Sequence, residues 1–150
     1  MAAPLLKAEI EINAPASKVW SLVADPSKMP QWSPQCRIMK ALGPIRPGTT
    51  TVNLNRRGLL FWPTTSVITE VLPERKFAFR IPLNTTVWSF ELEPTETGTR
   101  LTQSRVAENG VTLLSTAVTK AALGGIEPFE QELVDGMNQT LQRIKAAAER

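Results

Sequence analysis

Residues 88–104, WSFELEPTETGTRLTQS, decide how the chain folds. Trp88, Phe90 and Leu92 alternate with Ser89, Glu91 and Glu93, the period of a strand with one dry face and one wet face. Thr95 to Gly98 has the composition of a tight turn, so Thr99 to Arg105 returns as an antiparallel neighbour. If the aromatic face is the interior one, Leu101 continues it, and Gln103 and Arg105 follow Leu101 inward. An amide and a guanidinium in an interior need partners or a polar cavity. A slip of one residue would instead turn Thr102, Ser104 and Val106 inward and leave Arg105 in water.

The same alternation extends towards the N-terminus. Phe77, Phe79 and Ile81 oppose Ala78 and Arg80, and strand-like stretches recur near 35–42, 49–55, 59–72, 76–82, 85–94 and 99–108, separated by short turn signals. Short connections make neighbours antiparallel, which predicts a meander. Pro63 falls inside one stretch and marks an edge or a bulge there. At the start, Leu6, Ala8, Ile10 and Ile12 alternate with Lys7, Glu9 and Glu11, the pattern of a half-buried strand. NAPASKVWSLVAD then spaces Val19, Trp20 and Val23 for a helix ending near Asp25, and Asp25-Pro26 opens a second short helix, PSKMPQW. Near the C-terminus Ile126, Phe129, Leu133, Met137, Leu141 and Ile144 recur at steps of three and four, one face of a helix of about six turns. The result is an α+β chain whose seven antiparallel strands have one helix long enough to cover their apolar face. A twisted sheet curling around a helix leaves a space suited to a ligand.

Composition narrows the chemistry. The chain has 150 residues, which fits one domain over 1–150 with a substantial core. It contains no histidine and a single cysteine, Cys36, which excludes a Ser-His-Asp hydrolase and a histidine-ligated metal centre and predicts no metal and no cofactor. Cys36 reads as a small apolar filler. The net charge of +3 comes from seventeen Lys and Arg spread along the chain, with Asn55-Arg56-Arg57-Gly58 as the densest basic spot. That pattern reads as a charged turn, and no nucleic-acid partner is expected. No secretion signal or spanning segment is evident, so the expected location is cytoplasmic, without integral membrane association.

The order of elements, with IEINAPASKVWSLVADPSKMPQWSP at residues 10–34 and the stretch at 88–104, resembles the START-like, helix-grip superfamily. More narrowly it resembles the polyketide cyclase/dehydrase (SRPBCC) branch in its small stand-alone actinobacterial form. The resemblance runs from Leu5 to the final helix and specifies a fold better than an activity. It implies a curved seven-stranded antiparallel sheet wrapped around the C-terminal helix, with two short helices after the first strand. It also implies a cavity between sheet and helix for a small hydrophobic molecule that is polyketide-, aromatic- or lipid-like. No catalytic signature transfers residue by residue.

Candidate ligand residues follow from the faces. Gln103 and Arg105, with Asn53 or Thr65 from facing strands, would orient a carbonyl or hydroxyl. Trp88, Phe90 and Phe79 would form aromatic walls, and Phe129, Leu133 and Met137 would face the space from the helix, although all of these also read as ordinary core. Trp20 and Trp32 read as packing for the short helices. Glu9, Glu11, Glu70, Glu91 and Glu93 all oppose apolar faces, so no carboxylate is expected inside, and a proton-transfer mechanism lacks its usual groups. Three readings stay open: binding of a hydrophobic molecule, a polyketide cyclase or dehydratase acting by confinement with Arg105 or Gln103 stabilising an enolate or alkoxide, and an interaction protein with a filled pocket. Whether the chain is a monomer or a homodimer, and whether residues 111–125 form a lid, also stay open.

Overall fold

The structure is a computed structural model that describes residues 5–83, 85–107 and 126–150, with residues 126–129 as backbone. Strand β1 (Leu5–Ile12) leads into helix α1 (Ala16–Val23), a 3-10 turn (Pro26–Lys28) and a one-turn helix α2 (Met29–Trp32). The expected second short helix is thus divided, with Asp25 capping its 3-10 part by accepting bonds from Ser27 N (3.0 Å) and Ser27 Oγ (2.6 Å). Six strands follow: β2 (Cys36–Ala41), β3 (Thr50–Arg57), β4 (Leu60–Leu72), β5 (Lys76–Ile81), β6 (Thr86–Pro94) and β7 (Thr99–Ala107). Helix α3 (Ile126–Ala148) ends the chain.

The seven strands form one antiparallel sheet in the order β1-β7-β6-β5-β4-β3-β2. Strands β2 to β7 are the expected meander, and β1 adds to the free edge of β7. Pro63 sits where β4 has β3 as its strand neighbour and has not yet met β5, whose pairing begins at Val67. Its missing N–H therefore interrupts no ladder on that side. A bulge between Ile68 and Glu70 then shifts the phase of β4.

Among the described residues, the space between sheet and α3 is filled at one end. Ile12, Phe77, Phe90, Leu92 and Leu101 from the sheet meet Leu141 and Ile144 of α3 and Val19 and Val23 of α1 in a continuous buried cluster. Trp32 packs there too and donates Nε1–H to the Leu22 carbonyl at 3.2 Å, and Trp20 lies against the same cluster. Both tryptophans pack as the sequence suggests. On the other face of the sheet, Arg100 pairs with Glu11 at 2.7 Å and Lys76 with Glu70 at 3.4 Å, which keeps these acids outside. No described helix is long and apolar enough to cross a membrane.

Candidate functional site

Three cross-strand rows show where packing gives way to a cavity. Ile10, Leu101 and Leu92 lie side by side across β1, β7 and β6. The next row is Ala8, Gln103, Phe90 and Phe77, and the one after it Leu6, Arg105, Trp88 and Phe79. The first row is core. In the second and third, apolar side chains share the interior with polar ones, because the residues that alternate inward along β7 change from Leu101 to Gln103 and Arg105. Both are buried, 7% and 4% exposed, so the inward phase of β7 is the one in which Leu101 leads.

Above these rows is a cavity of about 500 Å³ bounded by α2, β2 to β7 and α3. Much of the lining is apolar: Phe79, Ile81 and Trp88 from β5 and β6, Leu133 and Met137 from α3, Met29 from α2 and Met39 from β2. Beside them the lining turns polar, because Asn53, Asn55 and Thr64 face inward from β3 and β4. Their hydrogen bonds form a chain. Thr51 Oγ1 donates to Asn53 Oδ1 at 2.8 Å, so its contact with Ser66 Oγ must have Ser66 as donor. Asn53 Nδ2 and Asn55 Nδ2 each donate to Thr64 Oγ1 at 3.1 Å. With two donors on its oxygen, Thr64 directs its own proton elsewhere, and a ligand acceptor in the cavity is a natural recipient. Gln103 closes one end, and its buried Oε1 has no hydrogen-bond partner among the described residues.

Helix α3 comes close to the loop before β2 at Gly136, where a Cβ would stand 3.2 Å from Pro34 Cγ. A glycine inside a helix costs about 1 kcal/mol relative to alanine, and here it lets the helix form the cavity edge. At the rim, Arg57 Nε donates to both carboxylate oxygens of Glu132, at 2.9 and 2.8 Å. Cys36 also lines the cavity, and burial pushes its thiol up to about 11.

Arg105 does not line the cavity but lies behind it, where its Nη2 donates to Glu130 Oε2 at 3.0 Å, the carboxylate side chain being 12% exposed. The expectation that no carboxylate lies inside is therefore corrected. Glu130 comes from the helix rather than a strand, three residues before Leu133 and seven before Met137, and helical periodicity carries it to the covered face. A buried guanidinium needs such a partner, because an unpaired ion in a dry interior costs several kcal/mol.

Of the residues singled out from sequence, Asn53, Phe79, Trp88, Gln103, Leu133 and Met137 are brought together around the cavity. Phe90 is packed in the core beneath it and Arg105 lies behind it. Thr65 is the correction: it is exposed on the outer face, opposite Val52, and Thr64 takes the inward position. Alternation carried back from the partly buried Val71 arrives at Thr65, and the bulge before Glu70 moves that phase to Thr64. The side chain of Phe129 and the segment 111–125 lie outside the described residues. Asn55 and Thr64 were missed, and no period-two count that ignores the bulge would find Thr64.

Comparison with known proteins places this geometry. A family model described as polyketide cyclase/dehydrase and lipid transport matches residues 4–149. The chain belongs to that family. No curated protein sequence matches it. Among solved structures, the polyketide-cyclase-like protein Cgl2372 of Corynebacterium glutamicum is 25% identical, with a TM-score of 0.65 over 95% of this chain and 90% of that one. Protein NE0264 of Nitrosomonas europaea is 18% identical, with a TM-score of 0.69 over 95% and 92% of the two chains. The di-domain ARO/CYC StfQ of the steffimycin biosynthetic pathway is 15% identical, with a TM-score of 0.78 over 97% of this chain and 50% of StfQ. The fold is thus the helix-grip fold, and this chain spans half of the StfQ polypeptide.

Proposed function

We propose that the protein binds a small, largely apolar molecule carrying hydrogen-bonding groups, in the cavity between the sheet and α3. The observation that carries this reading is the mixed lining. Phe79, Trp88, Leu133 and Met137 offer flat and adaptable apolar contact, while the Asn53–Thr64–Asn55 cluster on β3 and β4 and the Gln103 amide on β7 offer polar contacts on either side of the β5 and β6 aromatics. A volume of about 500 Å³ suits a molecule of drug size. Among the described residues no side chain fills that space. Cys36, with its thiol proton firmly held, acts as wall and not as nucleophile.

A cyclase or dehydratase reading has one observation in its favour, the buried Arg105–Glu130 pair behind Gln103. Glu130 is engaged by Arg105 and neither side chain lines the cavity, so any catalysis would work by confining a reactive chain beside Gln103. Native mass spectrometry on gently purified protein, with release and identification of any bound compound, tests the binding reading. A discrete adduct of an apolar molecule that also changes Trp88 emission is the expected result. A clean apo mass, together with unchanged emission on titration with aromatic and acyl compounds to their solubility limits, would overturn it.

A further inference from the structure

Arg56, Arg57 and Gly58, at the turn of the β3–β4 hairpin, line the cavity, and this hairpin extends one end of the sheet. Residues 60–66 run past the end of β5, with β3 as their strand neighbour among the described residues. At ~3.3 Å per residue this is an arm of roughly 20 Å. Gly58, at φ 62, makes the two-residue connection between Arg57 and Leu60. The tip is apolar and lies in water: Leu59 is 93% exposed, with Leu60 and Phe61 exposed beside it. Down the convex face the strip continues through cross-strand neighbours. Ile38 lies opposite Leu54 and Leu54 opposite Pro63, while Lys40 stands opposite Val52 and Arg56 opposite Phe61. The Arg56 guanidinium lies 5.2 Å from the centre of the Phe61 ring.

The charge of this region is one-sided. From Pro26 to Thr69 there are six basic residues, Lys28, Arg37, Lys40, Arg46, Arg56 and Arg57, and no acid, whereas the remainder of the chain has eleven basic and fourteen acidic residues. Among the acids of neighbouring elements, Glu132 takes Arg57, and Asp25, which borders Ile38 and Lys40, holds Ser27. Arg56 and Lys40 thus accompany the apolar strip without an ion-pair partner among the described residues.

We propose that this hairpin arm docks on an anionic lipid bilayer, with Leu59, Leu60 and Phe61 entering the acyl boundary and Arg56 and Lys40 set against lipid phosphates. A protruding convex tip suits a fluid phase that conforms to it, whereas a folded partner would have to present a matching pocket. A nucleic acid would satisfy the cations and leave three large apolar side chains in water. Arg56, Arg57 and Gly58 also line the cavity, so docking would bring its rim to the bilayer and let an apolar ligand pass with little exposure to water. That consequence rests on the binding function proposed above; the docking does not.

The test is co-sedimentation of delipidated full-length protein with vesicles of phosphatidylcholine, alone or with phosphatidylglycerol added. Binding is expected to require the anionic lipid and to weaken as salt rises. Leu59→Ser combined with Phe61→Ser should lower the partition coefficient at least tenfold, and Arg56→Gln about fivefold. The thermal midpoints should be unchanged, because these side chains are exposed. Absence of vesicle binding would overturn the proposal whatever the cavity holds. So would binding that both variants retain in full, or acquisition of a protein or nucleic-acid partner through Leu59 and Phe61 without vesicle binding.

Discussion

Replacing Gln103 with leucine should stabilise the empty protein and weaken its hold on ligand, in opposite directions from one change. The amide is 7% exposed, and its Oε1 has no hydrogen-bond partner among the described residues. A buried polar atom in that condition costs about 1–3 kcal/mol, and an apolar group of similar shape removes the cost. Leucine is slightly shorter, so some contact is lost and the net gain is about 1–2 kcal/mol. For a chain of this length that is a rise in Tm of about 3–6 °C, read by circular dichroism on ligand-free protein. A ligand that donates a hydrogen bond to Oε1 loses about 1.4 kcal/mol, close to a tenfold increase in Kd, read by titration of tryptophan emission. The reasoning is refuted if the ligand-free variant is less stable than the parent by more than about 1 kcal/mol, because Gln103 would then be a satisfied structural amide. Unchanged affinity with raised stability would remove Gln103 from ligand recognition while leaving the stability argument standing.

Two further perturbations probe the same interior. Arg105→Ala should cost about 3–5 kcal/mol in urea unfolding, because it breaks an ion pair whose side chains are only 5% and 12% exposed; the joint variant Arg105→Met with Glu130→Leu should recover most of that loss, and failure to recover would show that the pair contributes more than its own ionic contact. Cys36, with its thiol pushed up to about 11, should be alkylated by iodoacetamide at pH 8 about two orders of magnitude more slowly than free cysteine, since about one thiol in a thousand is then ionised. Because the folded state holds this proton more tightly than the unfolded chain does, Cys36 lowers stability as pH climbs from about 9 towards 11, a decline that Cys36→Ala should reduce. Alkylation at the rate of free cysteine would contradict the burial.

The meander, the edge position of Pro63 and the inward turn of Gln103 and Arg105 were legible because each rests on unbroken alternation or on turn chemistry local to it. Phe79, Trp88, Leu133 and Met137 could be placed on inner faces, but their division from Phe90, which lies in core, depends on where α3 stops filling the curve of the sheet. That is a tertiary distance with no period in sequence. Thr64 was hidden by the bulge before Glu70, which reverses the faces of half a strand without leaving a glycine to mark it. Glu130 was hidden because only the apolar members of the helical face were counted. A charge that meets its partner 25 residues away in the chain announces itself only when the partner, here Arg105, is asked what neutralises it.

The pairing of β1 with β7 has a consequence for how the chain is made. Strands β2 to β7 each pair with the strand just before or after them, so their contacts form as they emerge. β1 is synthesised first, yet Ile12 must wait for Thr99, and Leu5 for Val106. The last helix then fastens the beginning to the end. Asn13 N donates to Glu149 at 2.8 Å, Lys145 Nζ to the Glu11 carbonyl at 2.8 Å, and Lys18 Nζ to the Arg150 carbonyl at 2.8 Å. Until β7 has emerged the growing chain carries an unpaired strand, and until α3 follows, its concave face lacks that helix. Both are exposed surfaces that favour association with other chains. Synthesis therefore leaves the chain vulnerable until α3 arrives, and the contacts of Lys145, Glu149 and Arg150 with the first elements are the clasp that ends that state.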